Sequence, residues 1–108
     1  MQLHYSVASP FVRKVMAVAI ETGMDGRLEP VNRTTTPVKP DADLVRDNPL
    51  GKIPCLVADE GAVLYDSRVI CEYLDSLHDG ARMFPGAGPA RWTALRRQAE
   101  ADGIMDAA

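Results

Sequence analysis

Cysteine is scarce in this sequence, and so are long apolar runs and any excess of positive charge. The two cysteines, Cys55 and Cys71, lack the paired spacing of a zinc site or a disulfide framework. The longest apolar run spans residues 15–20 and is too short to cross a bilayer. No segment resembles a signal peptide. These absences predict a protein that binds no metal, enters no membrane and stays in the reduced cytoplasm.

The charge balance argues against one large class of partners. The chain carries 12 Lys and Arg against 15 Asp and Glu, a formal net charge of −3. A nucleic-acid-binding surface needs a clustered positive excess, so we expect no nucleic-acid partner. The rest of the composition, 46% hydrophobic and 25% charged residues over 108 positions, is typical of one folded globular domain.

The first third of the chain is predicted to form a strand, a helix and a second strand. Residues Gln2–Tyr5 alternate in polarity, as a short strand does. Ser9 followed by Pro10 starts the helix, because serine is a good helix cap and proline at the first helical position loses no needed hydrogen bond. Gly23 ends that helix, and residues 28–31 form the second predicted strand.

The middle of the chain is predicted to complete a sheet. Its expected elements, in chain order, are a polar loop at residues 32–43, a short helix near Ala42–Asp47, strands at 53–57 and 62–65, and a helix from 66 to 79. The two strands flank a short acidic turn, so they predict an antiparallel hairpin. The order of elements predicts an α/β, thioredoxin-like fold with a mixed four-stranded sheet flanked by helices.

The end of the chain is predicted to leave this first domain. Residues 80–88 have a linker composition, and residues 89–108 return to a helical pattern. Trp92 and Leu95 belong to an apolar stripe that nothing else in the chain covers, and the helix ends without a cap. We therefore expect a domain at 1–79, a linker at 80–88 and, at 89–108, the first helix of an incomplete all-helical second domain, completed by further chain or by a partner.

Three motifs, each beside a predicted element, resemble one family. They are Ser-Pro-Phe-Val-Arg-Lys at residues 9–14, Asn-Pro-Leu-Gly-Lys-Ile-Pro at 48–54 and Asp-Ser at 66–67. Together they resemble the amino-terminal domain of a bacterial glutathione S-transferase, and residues 101–106 resemble the start of that family's helical second domain. The resemblance covers essentially the whole chain. It implies a detoxifying transferase that binds glutathione as co-substrate, activates its thiolate for attack on a small electrophile, and forms a homodimer.

Ser9 has two possible roles. As a helix cap it stabilises the helix by about 1 kcal/mol. The resemblance implies a catalytic role, because a Ser, Tyr or Cys near this junction engages the glutathione sulfur in the family, and a helix start stabilises a thiolate. Serine cannot exchange disulfides, which favours activation of glutathione over redox shuttling. Ser6 is the competing hydroxyl, and both stay candidates.

A backbone site is implied at Ile53 and Pro54. An X-Pro bond is trans in about 95% of cases in folded proteins, but the proline of this segment is cis in the family. A cis bond exposes the backbone N–H and C=O of Ile53, so that a tripeptide can pair with it like an added strand. We therefore predict a cis Ile53–Pro54 bond.

Asp66 and Ser67 are implied to hold the γ-glutamyl end of glutathione. Either residue alternatively serves as a simple helix cap. In the family reading, the substrate carboxylate accepts from the hydroxyl and amide of Ser67, while Asp66 faces the substrate ammonium. Lys52 and Lys39 are further candidates, for the glycyl carboxylate, although surface lysines usually lie in solvent.

Other polar residues are interpreted as structural or solvated. Asp102 corresponds to an acid that touches the neighbouring subunit's glutathione in some relatives, but we expect a solvated carboxylate. Cys55 and Cys71 are expected to be small buried residues. His4 is expected to be a core or edge histidine with no acid nearby.

Two rival functions stay open. The domain could hold glutathione, or a partner protein, as a non-catalytic stress-response module. Alternatively, Cys55 or Cys71 could carry a glutathione-dependent thiol redox or peroxidase activity.

Overall fold

Four strands and four α-helices make up the computed structural model, which describes residues 1–35 and 38–107. In chain order the elements are β1 (Gln2–Tyr5), α1 (Pro10–Glu21), a 3-10 turn (Asp25–Arg27), β2 (Glu29–Asn32), α2 (Ala42–Asp47), β3 (Cys55–Val57), β4 (Val63–Leu64), α3 (Ser67–Ser76) and α4 (Gly88–Ala107). The sheet order is β2–β1–β3–β4, with only the β1–β2 pair parallel among these described strands. The predicted thioredoxin-like, mixed four-stranded sheet is confirmed.

The main core lies between the sheet and the helices α1 and α3. Leu3 and Leu56 pair across β1 and β3, and both side chains are fully buried in this layer. Val15 of α1 and Ile70 of α3 are fully buried against them. Burial of a side chain of this size contributes about 1.5–3 kcal/mol. This packing fixes α1 against α3, which places the start of α3 beside the second turn of α1.

A polar network covers the opposite face of the sheet, towards α2. Successive side chains of a strand point to opposite faces, so His4 and Cys55 point away from Leu3 and Leu56. His4 Nε2 lies 2.7 Å from a carboxylate oxygen of Asp47, and His4 Nδ1 accepts a hydrogen bond of 3.0 Å from Arg33 Nε. The prediction that His4 has no nearby acid is therefore wrong, because the partner comes from α2, 43 positions away.

Both ends of α1 follow the sequence prediction. The Ser9 hydroxyl accepts a hydrogen bond of 3.3 Å from the Val12 amide, as a helix cap does. Gly23, directly after the last turn, has a φ of 73°, in the left-handed region that favours glycine. The short helix α2 also has the predicted bounds, and Asp41 caps it through two backbone amides.

Differences at other boundaries have local causes. β2 begins one residue later than predicted, because Leu28 N donates to Asp25 O and closes the 3-10 turn. β3 begins at Cys55 rather than at residue 53, since Pro54 has no N–H to donate to a ladder. β4 has only two residues, and α3 ends at Ser76 rather than at residue 79.

The segment after α3 is anchored to that helix and to the core, whereas α4 is largely exposed. Phe84 packs against the core, and Asp75 accepts hydrogen bonds from the backbone amides of Met83 and Phe84. Trp92 on α4 is 67% exposed. The predicted loop at 32–43 includes residues 36 and 37, and the predicted last helix includes residue 108, which all lie outside the described residues. None of the helices in the described ranges combines the length and apolar character that a bilayer crossing requires.

Candidate functional site

A cavity of about 450 Å³ lies where the starts of α1 and α3 and the loop before β3 approach α4. Its lining comes from four segments: Phe11 near the start of α1, five residues of the loop (Asn48, Leu50, Lys52, Ile53, Pro54), four around the start of α3 (Tyr65, Asp66, Ser67, Arg68) and four on α4 (Ala99, Asp102, Gly103, Asp106). The volume falls in the range of small-molecule sites. Segments far apart in the chain thus share one concave surface.

The structure brings together most of the predicted site residues. Lys52, Ile53, Pro54, Asp66 and Ser67 all line the cavity. The other two predicted site residues, Ser9 and Lys39, are not among its lining residues. Ser9 is partly buried as the cap of α1, and Lys39 is exposed in the loop before α2.

The loop before β3 is shaped by a buried asparagine. Asn48 is 1% exposed, and its side-chain amide donates a 2.9 Å hydrogen bond to the carbonyl of Lys52. Its side-chain oxygen accepts from the amide of Leu50 at 3.0 Å. Gly51 has a φ of 65°, which closes the turn between them. The sequence analysis included Asn48 in the motif at residues 48–54 but gave it no role of its own, yet Asn48 holds the loop that carries Ile53 and Pro54.

Two cis peptide bonds border the cavity. The predicted cis bond between Ile53 and Pro54 is present, and a second joins Tyr65 and Asp66. The β1–β3 ladder extends only to the pair His4 and Cys55, so the backbone of Ile53 lies beyond it, at the cavity wall. Backbone groups in this position are able to pair with an extended ligand.

The start of α3 carries a capping carboxylate and a buried hydroxyl. Asp66 caps the helix through the Arg68 amide and also forms an ion pair of 2.9 Å with the Arg68 guanidinium. This hydrogen bond from Arg68 holds the pKa of Asp66 below its ordinary value, although partial burial opposes it. Ser67 is 2% exposed. Arg68 was not predicted as a site residue; its position two residues after the cap was the available signal.

Ser67 is contacted from beneath by Lys14, a residue that the sequence analysis did not assign to the site. Lys14 Nζ donates to Ser67 Oγ at 3.2 Å and to the two carboxylate oxygens of Asp102 at 2.8 and 3.1 Å. The expectation that Asp102 is solvated is wrong, because its side chain is only 13% exposed and paired. The available signal was the helical spacing of Lys14 from Phe11 and Val18, which puts it on the inner side of α1.

The two cysteines have the environment expected of structural residues. Both are fully buried. Burial raises the pKa of each thiol to about 11, and the charge of Asp47 adds to the effect at Cys55. Neither lines the cavity. Within the described residues, no group of three or more His, Cys, Asp and Glu is arranged to hold a metal ion.

Comparison with known protein families identifies the family to which this chain belongs. The family model described as "Glutathione S-transferase, N-terminal domain" matches residues 8–77. This chain belongs to the glutathione S-transferase family. The match covers the segment from the start of α1 to the end of α3, which includes every predicted site residue, and it confirms the resemblance drawn from the three motifs.

Individual members of the glutathione S-transferase family match 83–99% of the chain. The uncharacterized GST-like protein YibF of Escherichia coli (strain K12) is 39% identical over 108 residues, 99% of this chain and 51% of that protein. Glutathione S-transferase 3 of Zea mays is 36% identical over 92 residues, 83% of this chain and 40% of that protein. The chain spans about half the length, or less, of the curated relatives it matches.

Solved structures of the family share the fold. A glutathione transferase family member from Pseudomonas fluorescens Pf-5, crystallised with bound glutathione, has 54% identity and a TM-score of 0.93, over 98% of this chain and 52% of that one. A glutathione S-transferase from Methylobacillus flagellatus, also with glutathione bound, has 40% identity and a TM-score of 0.79, over 98% of this chain and 50% of that one.

Proposed function

We propose that this chain is the glutathione-binding part of a glutathione transferase that activates the thiol of glutathione for attack on a small electrophile. One observation carries the proposal. The cavity joins the Ile53–Pro54 backbone to the start of α3, in a chain that matches a glutathione-bound relative with a TM-score of 0.93. A tripeptide with charged ends fits a site that offers backbone pairing in the middle and charged groups at its borders.

The tripeptide is proposed to lie along the cavity wall. Its cysteinyl backbone pairs with the N–H and C=O of Ile53. The γ-glutamyl carboxylate accepts from Ser67 at the start of α3, where the helix dipole favours an anion. Asp66 faces the γ-glutamyl ammonium, because a carboxylate already paired with Arg68 still has free lone pairs. Lys52, which lines the cavity, and Lys39 in the loop before α2 are proposed for the glycyl carboxylate.

Ser9 is proposed as the group that stabilises the thiolate. Its hydroxyl oxygen accepts from the Val12 amide, so its own proton is available to donate to a sulfur. The hydroxyl of Ser6 also accepts from a backbone amide, that of Ala8, and keeps its proton for the same use. Each unit by which such contacts lower a thiol pKa corresponds to about 1.36 kcal/mol. The thiolate then forms the bond to carbon and the electrophile loses its leaving group.

The wider organisation is also a proposal. Residues 1–79 form the glutathione-binding domain, 80–88 the linker and 89–108 the first helix of a helical domain. A homodimer is supported by the exposed apolar residues along α3 and α4, among them Val69 and Trp92. We place the protein in the cytoplasm, with a detoxifying role.

Replacement of Ser9 by alanine tests the proposed chemistry. In Ser9→Ala, glutathione affinity by calorimetry is expected to change less than about threefold, while conjugation of an aryl halide slows about 10- to 100-fold. The reason is that a hydrogen bond to a charged group contributes about 1.5–3 kcal/mol. Ser6→Ala is the matched control and is expected to keep its rate. Because Ser9 also caps α1, the assays are run well below the melting temperature of each variant.

The outcomes separate the alternatives. If the conjugation rate falls in Ser6→Ala but not in Ser9→Ala, Ser6 rather than Ser9 contacts the glutathione sulfur. Glutathione binding without conjugation of any common electrophile indicates a non-catalytic module. Absence of glutathione binding by the unaltered protein contradicts the proposed function altogether.

A further inference from the structure

We propose that Lys14 is a positioning residue, which orients the Ser67 hydroxyl so that it donates into the cavity and selects a ligand carboxylate there. The inference rests on the proposed function for the identity of the ligand, glutathione. Lys14 is not among the residues that line the cavity, so it acts through Ser67 rather than by touching the ligand. No other described group contacts both Ser67 and Asp102 in this way.

The contacts of Lys14 join three helices at one point. Its ammonium nitrogen, reached from α1, lies 3.2 Å from Ser67 Oγ on α3 and 2.8 Å from an Asp102 oxygen on α4. The side chains of Lys14 and Asp102 are only 14% and 13% exposed. A charged lysine in such a place needs a paired carboxylate, and Asp102 supplies it. The pair therefore holds the ammonium in a fixed position beneath Ser67.

The direction of the Ser67 proton follows from this contact. An ammonium group has donors only, so the hydroxyl oxygen of Ser67 must be the acceptor. The single hydroxyl proton then points elsewhere, and Ser67 lines the cavity. A ligand oxygen at this end of the cavity consequently meets a donor that is already oriented. Without Lys14, the hydroxyl would be free to turn and act as an acceptor, which repels a carboxylate.

Lys14 also removes an electrostatic obstacle. Asp66, Asp102 and Asp106 all line the cavity, and unpaired carboxylates there would disfavour a further one on the ligand. Arg68 is paired with Asp66, and Lys14 is paired with Asp102. The two ion pairs leave the Ser67 end able to accept a negative charge. The structure therefore assigns to Lys14 the preference for an α-carboxylate.

The test compares two ligands across matched variants. The ligands are glutathione and γ-aminobutyryl-cysteinyl-glycine, which keeps the amine but lacks the α-carboxylate. In Lys14→Met, the dissociation constant of glutathione is expected to rise at least about tenfold, and that of the analogue less than about threefold. Arg13→Met, at the exposed neighbouring position, is the control and is expected to leave both constants unchanged. A general loss of stability would weaken the binding of both ligands alike, so it would not change the ratio of their dissociation constants.

A second arm shows whether Lys14 acts through Ser67. The triple variant Lys14→Met/Ser67→Ala/Asp102→Asn is expected to bind glutathione no more weakly than Ser67→Ala/Asp102→Asn, since the hydroxyl that Lys14 orients and the carboxylate that it pairs are both already gone. If Lys14→Met does not fold, Lys14→Leu also removes every side-chain donor at this position, and the ratio of the two dissociation constants is measured on that variant instead. Equal weakening of both ligands, or an unchanged glutathione constant, overturns the proposal for Lys14. Failure of the unaltered protein to bind glutathione instead refutes the proposed function.

Discussion

Individual polar residues in this protein owe their roles to partners that are distant in the chain. Lys14 meets Ser67 at a separation of 53 positions and Asp102 at a separation of 88. His4 and Asp47 are 43 positions apart. Each of these pairs is largely buried, so each charge or ring nitrogen is satisfied by protein rather than by water. The sequence analysis recognised Ser67, His4 and Asp102 as residues of interest but assigned none of these partners.

The two buried thiols lead to a prediction about reactivity. A thiol pKa of about 11 leaves about 0.1% thiolate near pH 8, compared with about 10% for the ordinary value of 9.0. We expect native Cys55 and Cys71 to react with a disulfide reagent at least about 100-fold more slowly than a cysteine in a short peptide. The rate should rise about tenfold per pH unit up to about pH 11, as the thiolate fraction grows.

Unfolding provides the control for this reactivity. In guanidinium chloride both thiols are expected to react at the rate of the peptide. The variant Cys55→Ser/Cys71→Ser is expected to keep its conjugation activity. A rapidly reacting thiol in the native protein, or loss of all activity in the double variant, would favour the redox alternative over the transferase.

At the scale of elements, residues near one another in sequence defined most helices and strands. Ser9 with Pro10, the αL glycine Gly23 and the cap Asp66 mark boundaries that the structure confirms. These signals are local, because a cap bonds to amides two or three residues away. The starts of β2 and β3 differ from the prediction for local reasons, the 3-10 turn before β2 and the missing N–H of Pro54. The end of β2 at Asn32 depends instead on its pairing with Tyr5 of β1, a tertiary contact which no short pattern contains.

Asp75 at the end of α3 connects that helix to the segment that follows it. It is 2% exposed and accepts hydrogen bonds from His78 and from the amides of Met83 and Phe84. Burial opposes its ionisation, but these hydrogen bonds outweigh that effect and hold the pKa of Asp75 below its ordinary value. The carboxylate form is therefore the one that the folded protein stabilises.

Replacement of Asp75 by asparagine is expected to lower the free energy of unfolding by about 1–3 kcal/mol near pH 7, because a buried acceptor network is broken. The pKa of Asp75 is lower in the folded state, so its contribution is complete above the unfolded value of 3.8 and is lost as pH falls through the folded pKa. Urea unfolding of the unaltered protein and of Asp75→Asn, near pH 7 and near pH 3, measures the loss of unfolding free energy and its dependence on pH. Asp79→Asn, at an exposed position, is the control. If Asp75→Asn lowers the unfolding free energy by the same amount at both pH values, ionisation of Asp75 does not contribute to stability.

At the scale of the whole molecule, one surface stays open to a partner. The α3–α4 groove, a depression of about 820 Å³, is lined in part by Leu64, Val69, Tyr73 and Leu95. Val69 is 46% exposed, and Trp92 on α4 is 67% exposed. No residue of α4 among those described is buried. Apolar exposure of this kind is typical of an interaction surface, which supports the proposed homodimer.

A charge placed in the α3–α4 groove tests the proposed dimer. The protein is expected to have about twice the mass of one chain in light scattering. Val69→Glu should raise the dimer dissociation constant at least about tenfold, because burial of an unpaired carboxylate is costly. Val38→Glu, at a position that is 95% exposed in the loop before α2, should leave the mass unchanged. A monomeric unaltered protein would exclude the proposed dimer. An unaffected dimer in Val69→Glu would place the dimer interface on another surface.

The sequence by itself predicted the fold class, because caps, turns and apolar periodicity involve near neighbours. The resemblance of its three motifs to a known family indicated the family and implied the Lys52–Pro54 and Asp66–Ser67 parts of the candidate site. Tertiary structure alone decided that Lys14 lies beneath Ser67, that Asp102 is paired and that α4 closes one side of the cavity. These contacts depend on how helices pack against a twisted sheet. The identity of a residue as lysine does not show whether its side chain pairs with a buried carboxylate or lies in water.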